Sequence, residues 1–258
     1  MARPVDQSGA RTRRAPRRPL AIVVGVVLLA LGTAAIGGLW YLFLRPAGPA
    51  AVGDASLPLA SVAAGASSTP LPSGALDGRW NVDTTIGSSS DWSDSFVGYR
   101  VQETLGSIGA NTAVGRTPQV SGSLTVEGST IRSAKITADL TALRSDDDRR
   151  DGQLRRQGIQ TEQFPTAEFT LTTPIDLGSV PTDGQKVSAT ATGTLTLHGV
   201  TRDVEVPLTA TLSGGSIVVQ GSLPITFADY GIEKPNSFAV LSVEDHGTME
   251  LQLFFTHG

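Results

Sequence analysis

Two periods of polarity run along this chain. Residues 20–44, LAIVVGVVLLALGTAAIGGLWYLFL, are 25 consecutive positions without a charge. As α-helix they measure about 37 Å, enough to cross an apolar layer of about 30 Å with some tilt. From Trp80 onward the period falls to two. In 187–197, Val187, Ala189, Ala191, Gly193, Leu195 and Leu197 alternate with Ser188, Thr190, Thr192, Thr194 and Thr196. That is a strand with one apolar and one hydroxylic face. Val204, Val206, Leu208, Ala210 and Leu212 repeat the pattern, Ser213, Gly214 and Gly215 mark a turn, and Ile217, Val219 and Leu223 begin a return strand. Further strands are expected near 94–102, 119–127, 130–142, 166–176 and 247–256. Eight or nine strands with hairpin-type turns predict an all-β antiparallel sandwich or barrel.

Two stretches break the alternation. Residues 145–160, SDDDRRDGQLRRQGIQ, place Ser145 or Asp146 at a helix cap, carboxylates in the first turn and Arg155 and Arg156 later. This order suits the helix dipole, and Gly158 would end the helix. One such helix, its charges solvated, is expected to cover a barrel mouth. Residues 46–76 hold five Pro, many Ala, Gly and Ser, and a single charge, Asp54. They bury too little to offset ordering entropy and read as a semi-extended tether.

Charge then orients the molecule. The whole chain carries −4, but residues 1–45 hold seven Arg against Asp6, a net +6, which leaves −10 for 46–258. Arg11, Arg13, Arg14, Arg17 and Arg18 precede the apolar run and only Arg45 closely follows it, so the positive-inside rule keeps the N-terminus cytoplasmic. Trp40, Tyr41 and Phe43 fall at the outer end, where amphipathic rings favour headgroup depth. A cleaved signal peptide normally has an apolar region of only about 7 to 15 residues, so a retained anchor is expected. The expected organisation is a basic tail 1–19, a single-pass transmembrane helix 20–44, a linker 45–76 and an extracytoplasmic β domain 77–258.

Composition narrows the chemistry. With no cysteine there is no disulfide framework, Cys-ligated metal or thiolate nucleophile. The three His (198, 246 and 257) show no metal-ligand spacing, and no G-x-S-x-G occurs. His198, beside Gly199 at a strand end, suits a turn hydrogen bond better than acid–base chemistry. Asp146, Asp147 and Asp148 lack the D-x-D-x-D-G spacing that wraps calcium, and no G-K-[ST] follows the glycines of 106–115. The −10 charge disfavours nucleic acid.

Several motifs in order resemble the YceI-like polyisoprenoid-binding family of lipocalin-like, extracytoplasmic barrels. Trp80-Asn81-Val82-Asp83 resembles its opening W-x-V/I-D. Phe96, Val97 and Tyr99 fall on F-x-V-x-H, with Tyr99 or Arg100 where that motif has histidine. Arg150-Asp151-x-x-Leu154 and Phe164-Pro165-x-x-x-Phe169 resemble R-D-x-x-L … P-x-x-x-F. Gly193-x-Leu195-Thr196-Leu197-His198-Gly199-Val200-Thr201 is similar to G-x-L-T-I-H-G-V-T, and Asp229-Tyr230-Gly231-Ile232 to D-F-G-I.

The resemblance spans about residues 78–256. It implies a lipocalin-like antiparallel barrel of about eight strands whose lumen holds an apolar isoprenoid chain, a prenyl lipid or a quinone tail, with no other cofactor. Small inward residues are needed to make room. On that reading the lumen is lined by Phe96, Ala189, Ala191, Gly193, Leu195, Val206, Leu208, Ala210 and Phe227. The expected function is a membrane-anchored, non-catalytic lipid-binding protein of the cell envelope. The alternative is a structural or interaction module with a filled core.

Overall fold

The computed structural model describes residues 48–53, 75–106, 109–234 and 240–258. The expected tail 1–19, the transmembrane helix 20–44 and linker residues 45–47 and 54–74 lie outside these. Among the described residues no helix is long and apolar enough to cross a membrane.

Thirteen strands form among the described residues. They are β1 (Gly78–Asp83), β2 (Phe96–Leu105), β3 (Gly109–Thr117), β4 (Val120–Glu127), β5 (Thr130–Asp139), β6 (Arg144–Ser145) and β7 (Thr166–Leu171), then β8 (Ile175–Asp176), β9 (Lys186–Leu197), β10 (Val200–Ser213), β11 (Ser216–Thr226), β12 (Val240–Val243) and β13 (His246–His257). All pairings are antiparallel, and the order β1-β4-β5-β7-β9-β10-β11-β13 closes because β13 also pairs β1.

β1 and β2 are two halves of one stave. Trp80 to Asp83 face His257 to Phe254 of β13, and Phe96 to Arg100 continue along the same edge opposite Gln252 to Thr248. Residues 84–95 loop out between them. β3 and β4 divide likewise at Pro118 and Gln119, where β3 pairs β2 and β4 pairs β1. Counted as staves, eight strands run up and down in chain order, so closure leaves no open edge in the ring.

The alternation read from the sequence is the inside–outside pattern of this barrel. Leu124 and Val126 of β4, Ala191, Leu195 and Leu197 of β9, Val206 of β10 and Leu253 and Phe255 of β13 are all buried on the inner face. The two-residue turn at His198 (φ +52°) and Gly199 (φ +74°) joins β9 to β10 with Leu197 opposite Val200. Positive φ at both positions is the hairpin geometry whose twist matches the strands. β3 is not marked by the sequence pattern: GANTAVGRT has too few apolar residues to alternate, and tertiary pairing with β2 makes it a strand.

The helical segment is shorter than expected. Asp147, not Ser145 or Asp146, caps helix α1 (Asp148–Gln153), its carboxylate accepting from the amides of Arg149 and Arg150. A π-helical turn, Leu154–Gly158, follows and ends at the expected glycine. Its charges are not all solvated: Asp151 is 3% exposed, and the Arg150 side chain reaches the buried Glu103 of β2 at 2.6 Å. The reason is tertiary, because the segment packs over the end of the barrel where β2 supplies the countercharge.

The β domain also starts before residue 77. Leu76 is buried in the main core and its carbonyl accepts from Trp80 Nε1 at 2.9 Å. Residues 48–53, expected to be tether, lie against the barrel wall.

Candidate ligand cavity

Inside the ring lies a cavity of about 180 Å³. Alternate residues along much of β9 and β10 point into it, which places Val187, Ala189, Ala191, Leu195, Val204, Val206, Leu208, Ala210 and Leu212 on its wall. Short side chains on adjacent staves leave the bore open: Ala191 is opposite Val206, and Ala189 opposite Leu208. The remaining wall is aliphatic, with Phe169, Met249 and Phe255 added. At one end a cluster of Leu140, Ala167, Leu195, Leu197 and Tyr230, with Ile159 of the helical segment against it, fills the barrel. At the other end the lining comes from the inter-strand segments, at Gly128, Leu177, Pro181 and the exposed Gln185. The cavity is therefore blind under the helix and reaches solvent at the opposite mouth.

Six of the nine expected lumen residues line it: Ala189, Ala191, Leu195, Val206, Leu208 and Ala210. The other three do not. Phe96 is turned to the outside, because strand alternation gives the lumen position to Val97. Its ring packs under Arg116, whose Cζ is 4.1 Å from the centroid. Phe227 lies beyond the end of β11, in the short 3₁₀ turn Phe227–Tyr230, where the alternation has stopped. Gly193 occupies a lumen-side position, but the Phe169 ring covers it: a Cβ there would stand 2.6 Å from Phe169 Cζ and 2.3 Å from the Thr170 carbonyl oxygen. Gly193 is thus a seat for an aromatic ring that narrows the bore. Sequence reading missed Phe169, Leu171, Ile131, Ile136 and Leu223 on the wall. The alternation of β5, β7 and β11 signals them only once the ring order is known.

A polar seam closes the helix end. Arg150 donates to Glu103 Oε1 (2.6 Å) and Asp146 Oδ1 (2.5 Å), Asn111 donates to Glu103 (2.7 Å), and buried Asp151 accepts from the Ser145 amide and hydroxyl. Burial alone disfavours the Arg150 cation, but Glu103 and Asp146 outweigh it and raise its pKa. Tyr99, on the same inner face of β2, is partly buried, and its hydroxyl is enclosed with no hydrogen-bond partner. Desolvation pushes its phenol well above the usual range; Arg150 opposes this and Asp151, Glu103 and Asp146 reinforce it.

The sign follows from linkage. The folded state holds the Tyr99 proton more tightly than the unfolded chain, whose phenol titrates near pH 10. Stability is unaffected below that pH and falls above it by up to about 1.4 kcal/mol per pH unit. Absorbance titration is expected to show this tyrosine ionising only as the protein unfolds. Tyr99→Phe is expected to remove one proton's slope from the alkaline limb while changing neutral-pH stability by less than about 1 kcal/mol, since no hydrogen bond is lost.

Outside the barrel, Glu250 of β13 holds a second charge cluster. Arg100 Nε donates to its Oε1 at 2.9 Å and Arg116 Nη2 to its Oε2 at 3.3 Å. Burial lowers the Arg116 pKa, and the Glu250 carboxylate opposes the shift.

His198 has a structural placement. Its Nδ1 lies 2.9 Å from the Tyr230 carbonyl, to which the N–H donates, and its ring packs 4.4 Å from Phe164. His246 and His257 lie at the two ends of β13, away from the lining. Among the described residues no three His, Asp or Glu are grouped to hold a metal ion.

A model of the YceI-like domain matches residues 89–255, well over half of the sequence. The chain belongs to the YceI-like family. Among solved structures, a polyisoprenoid binding domain from Saccharophagus degradans, implicated in plant cell wall breakdown, is 23% identical and superposes with a TM-score of 0.54 over 69% of this chain and 98% of its own. Burkholderia cenocepacia BcnA is 21% identical with a TM-score of 0.49, covering 67% and 98%. A Campylobacter jejuni YceI protein is 17% identical with a TM-score of 0.43, covering 54% and 82%. No curated protein matches the sequence. The first likeness establishes a shared fold.

Membership also gives the motifs a physical meaning in this YceI-like chain. Phe164, His198, Gly199 and Tyr230, from three separate motifs, meet at the helix end, where a Cβ on Gly199 would stand 2.6 Å from the Phe164 ring. They close the barrel above the cavity. Arg150 and Asp151 of the fourth motif tie the helix to β2 and β6 through Glu103 and Ser145.

Proposed function

We propose that this protein is a membrane-anchored, extracytoplasmic binding protein that holds one isoprenoid lipid and performs no catalysis. The observation that carries the reading is the blind, almost wholly apolar cavity at the centre of a closed barrel. Glu250 touches the lining only between Met249 and Leu251 of β13, and its carboxylate is held on the outer side of the wall by Arg100 and Arg116. A ligand entering this bore leads with its tail and leaves its polar end at the mouth beside Gln185. The likeness to a polyisoprenoid binding domain supports the ligand class, and the basic-flanked apolar run 20–44 supports the anchor.

Size sets how the ligand is held. An apolar void of about 150 Å³ takes a benzene ring, so this cavity takes roughly one to two isoprene units before any side chain moves. A longer tail is accommodated by rotation of Met249, which is unbranched and adaptable, and of partly buried Leu223 and Phe169. Capture is driven by about 0.8 kcal/mol per buried CH₂, offset by immobilising the chain.

Native mass spectrometry of the full chain released from micelles is expected to show one added isoprenoid mass per protein, identified by lipid extraction. After delipidation, uptake of a prenol from vesicles is expected to restore it. A chain that neither carries a lipid nor takes up a prenol overturns the proposal.

A further inference from the structure

In the Arg100–Glu250–Arg116 cluster the two cations bond a single carboxylate, and Asp94 is a further anion acting on Arg116. Two guanidiniums share one carboxylate, and the side chains of Arg116 and Glu250 are only 5% and 3% exposed. A buried N–H without an acceptor is costly, so the surplus donors need oxygen atoms from elsewhere. The chain's own residues 48–53 supply two of them, while Arg116 Nε stays without a partner. Arg100 Nη2 donates to the Pro49 carbonyl at 2.8 Å and Arg116 Nη2 to the Ala50 carbonyl at 2.9 Å. In return the Val52 amide points at Glu250 Oε1 at 3.4 Å. Gly48 sits over Val114 of β3, where a Cβ would lie 3.4 Å from its Cγ2, ordinary contact. Pro49 loses little backbone freedom on docking.

We propose that this cluster is a clamp for residues 48–53, and that it shortens the leash between the apolar run 20–44 and the barrel to three residues, 45–47. The clamp stands on the contacts above; the leash rests on the membrane anchoring proposed for 20–44. A free linker of 45–76 would hold its ends about 30 Å apart on average and reach about 110 Å when extended. Three residues reach at most about 11 Å.

The absence of cysteine allows a direct test in the full chain. A Cβ on Gly48 would lie 3.9 Å from Val114 Cβ, within the range that a disulfide bridges. Gly48→Cys with Val114→Cys is expected to form the bridge almost completely under mild oxidation in the native state and to lose that preference in urea. Gly48→Cys with Ser133→Cys, on the exposed outer side of β5, is expected to stay at least tenfold less bridged. Equal bridging of both pairs, or none at Val114, overturns the clamp whatever 20–44 does.

The leash is read separately, in vesicles, by energy transfer from a dye on Ser133→Cys to a lipid dye, with the 48–114 bridge formed before labelling. Bridging is expected to change the transfer by less than a tenth, because the clamp is already closed. Arg100→Gln, at a side chain 20% exposed, is expected to reduce transfer in the unbridged chain. A rise in transfer on bridging shows a clamp open at rest and overturns the proposal. A chain that bridges selectively yet does not bind vesicles refutes the leash and the anchoring together while the clamp stands.

Discussion

Replacing Ala191 and Ala210 together by leucine is expected to abolish prenol uptake while leaving the barrel folded. Both line the bore, Ala191 opposite Val206 and Ala210 opposite Val187 on neighbouring staves. Each substitution adds three carbons where the structure has empty space, and six carbons are comparable with the whole content of a cavity this size. Roughly six ligand methylenes then lose their burial, a gross loss of about 5 kcal/mol at 0.8 kcal/mol each. If half of that survives rearrangement, affinity falls about fiftyfold. In a packed core the same additions would instead cost about 1 to 3 kcal/mol each in overpacking. Paired measurements of prenol affinity and of urea midpoint decide between these: loss of binding with a midpoint held within about 1 kcal/mol is expected. A strongly destabilised variant would return the core to the filled-module reading.

The largest stability effect is expected at Glu250. Glu250→Gln keeps the shape but removes the charge and turns one of the two acceptor oxygens into a donor, so Arg100 and Arg116 lose the carboxylate they share. Removing one partner from a buried ion pair typically costs about 3 to 5 kcal/mol, because the remaining charge stays desolvated. Arg100 is partly exposed, so the lower end applies, about 3 kcal/mol. That is a large share of a typical domain's 5 to 15 kcal/mol. Arg132→Gln makes the comparison: its pair with Glu127 has both side chains more than half exposed. It is expected to change stability by less than about 0.5 kcal/mol. Denaturant titration of the two variants side by side tests the contrast, and similar midpoints would show that the Glu250 cluster is solvated.

Much of the barrel was legible because strand alternation is a local property. Val187 through Leu197 declare an inner and an outer face without reference to any other strand, and Val187, Ala189, Ala191 and Leu195 of that inner face are on the cavity wall. The same rule explains the failures. Phe96 and Val97 are both apolar, so polarity alone does not say which of them faces in, and the hydrogen-bonded register with β13 assigns Val97. Phe227 follows the last residue of a strand, where the rule no longer applies. Gly193 fits the pattern yet contributes no open space, since Phe169 of a different stave lies across it.

Charges were read less well for a related reason. In sequence, Asp151 and Arg150 belong to a charge run that suits a solvated helix; in the fold, Glu103, 47 positions away, draws Arg150 into the barrel end. Residues 48–53 look like tether because no large side chain marks them, and their hydrogen bonds to the barrel run through backbone groups, which every sequence possesses.

By itself the sequence determined the strand faces, the His198–Gly199 hairpin, the separation of a basic, apolar N-terminal part from an acidic β domain, and the exclusion of thiol chemistry. Those follow from neighbours along the chain. Only the tertiary structure decided that the alternating faces enclose a cavity open at one end, that Phe169 narrows it, and that Glu250 joins two arginines to a segment 198 residues earlier. Closure of the ring brings those groups together, and nothing in the local periodicity of either partner encodes the distance between them.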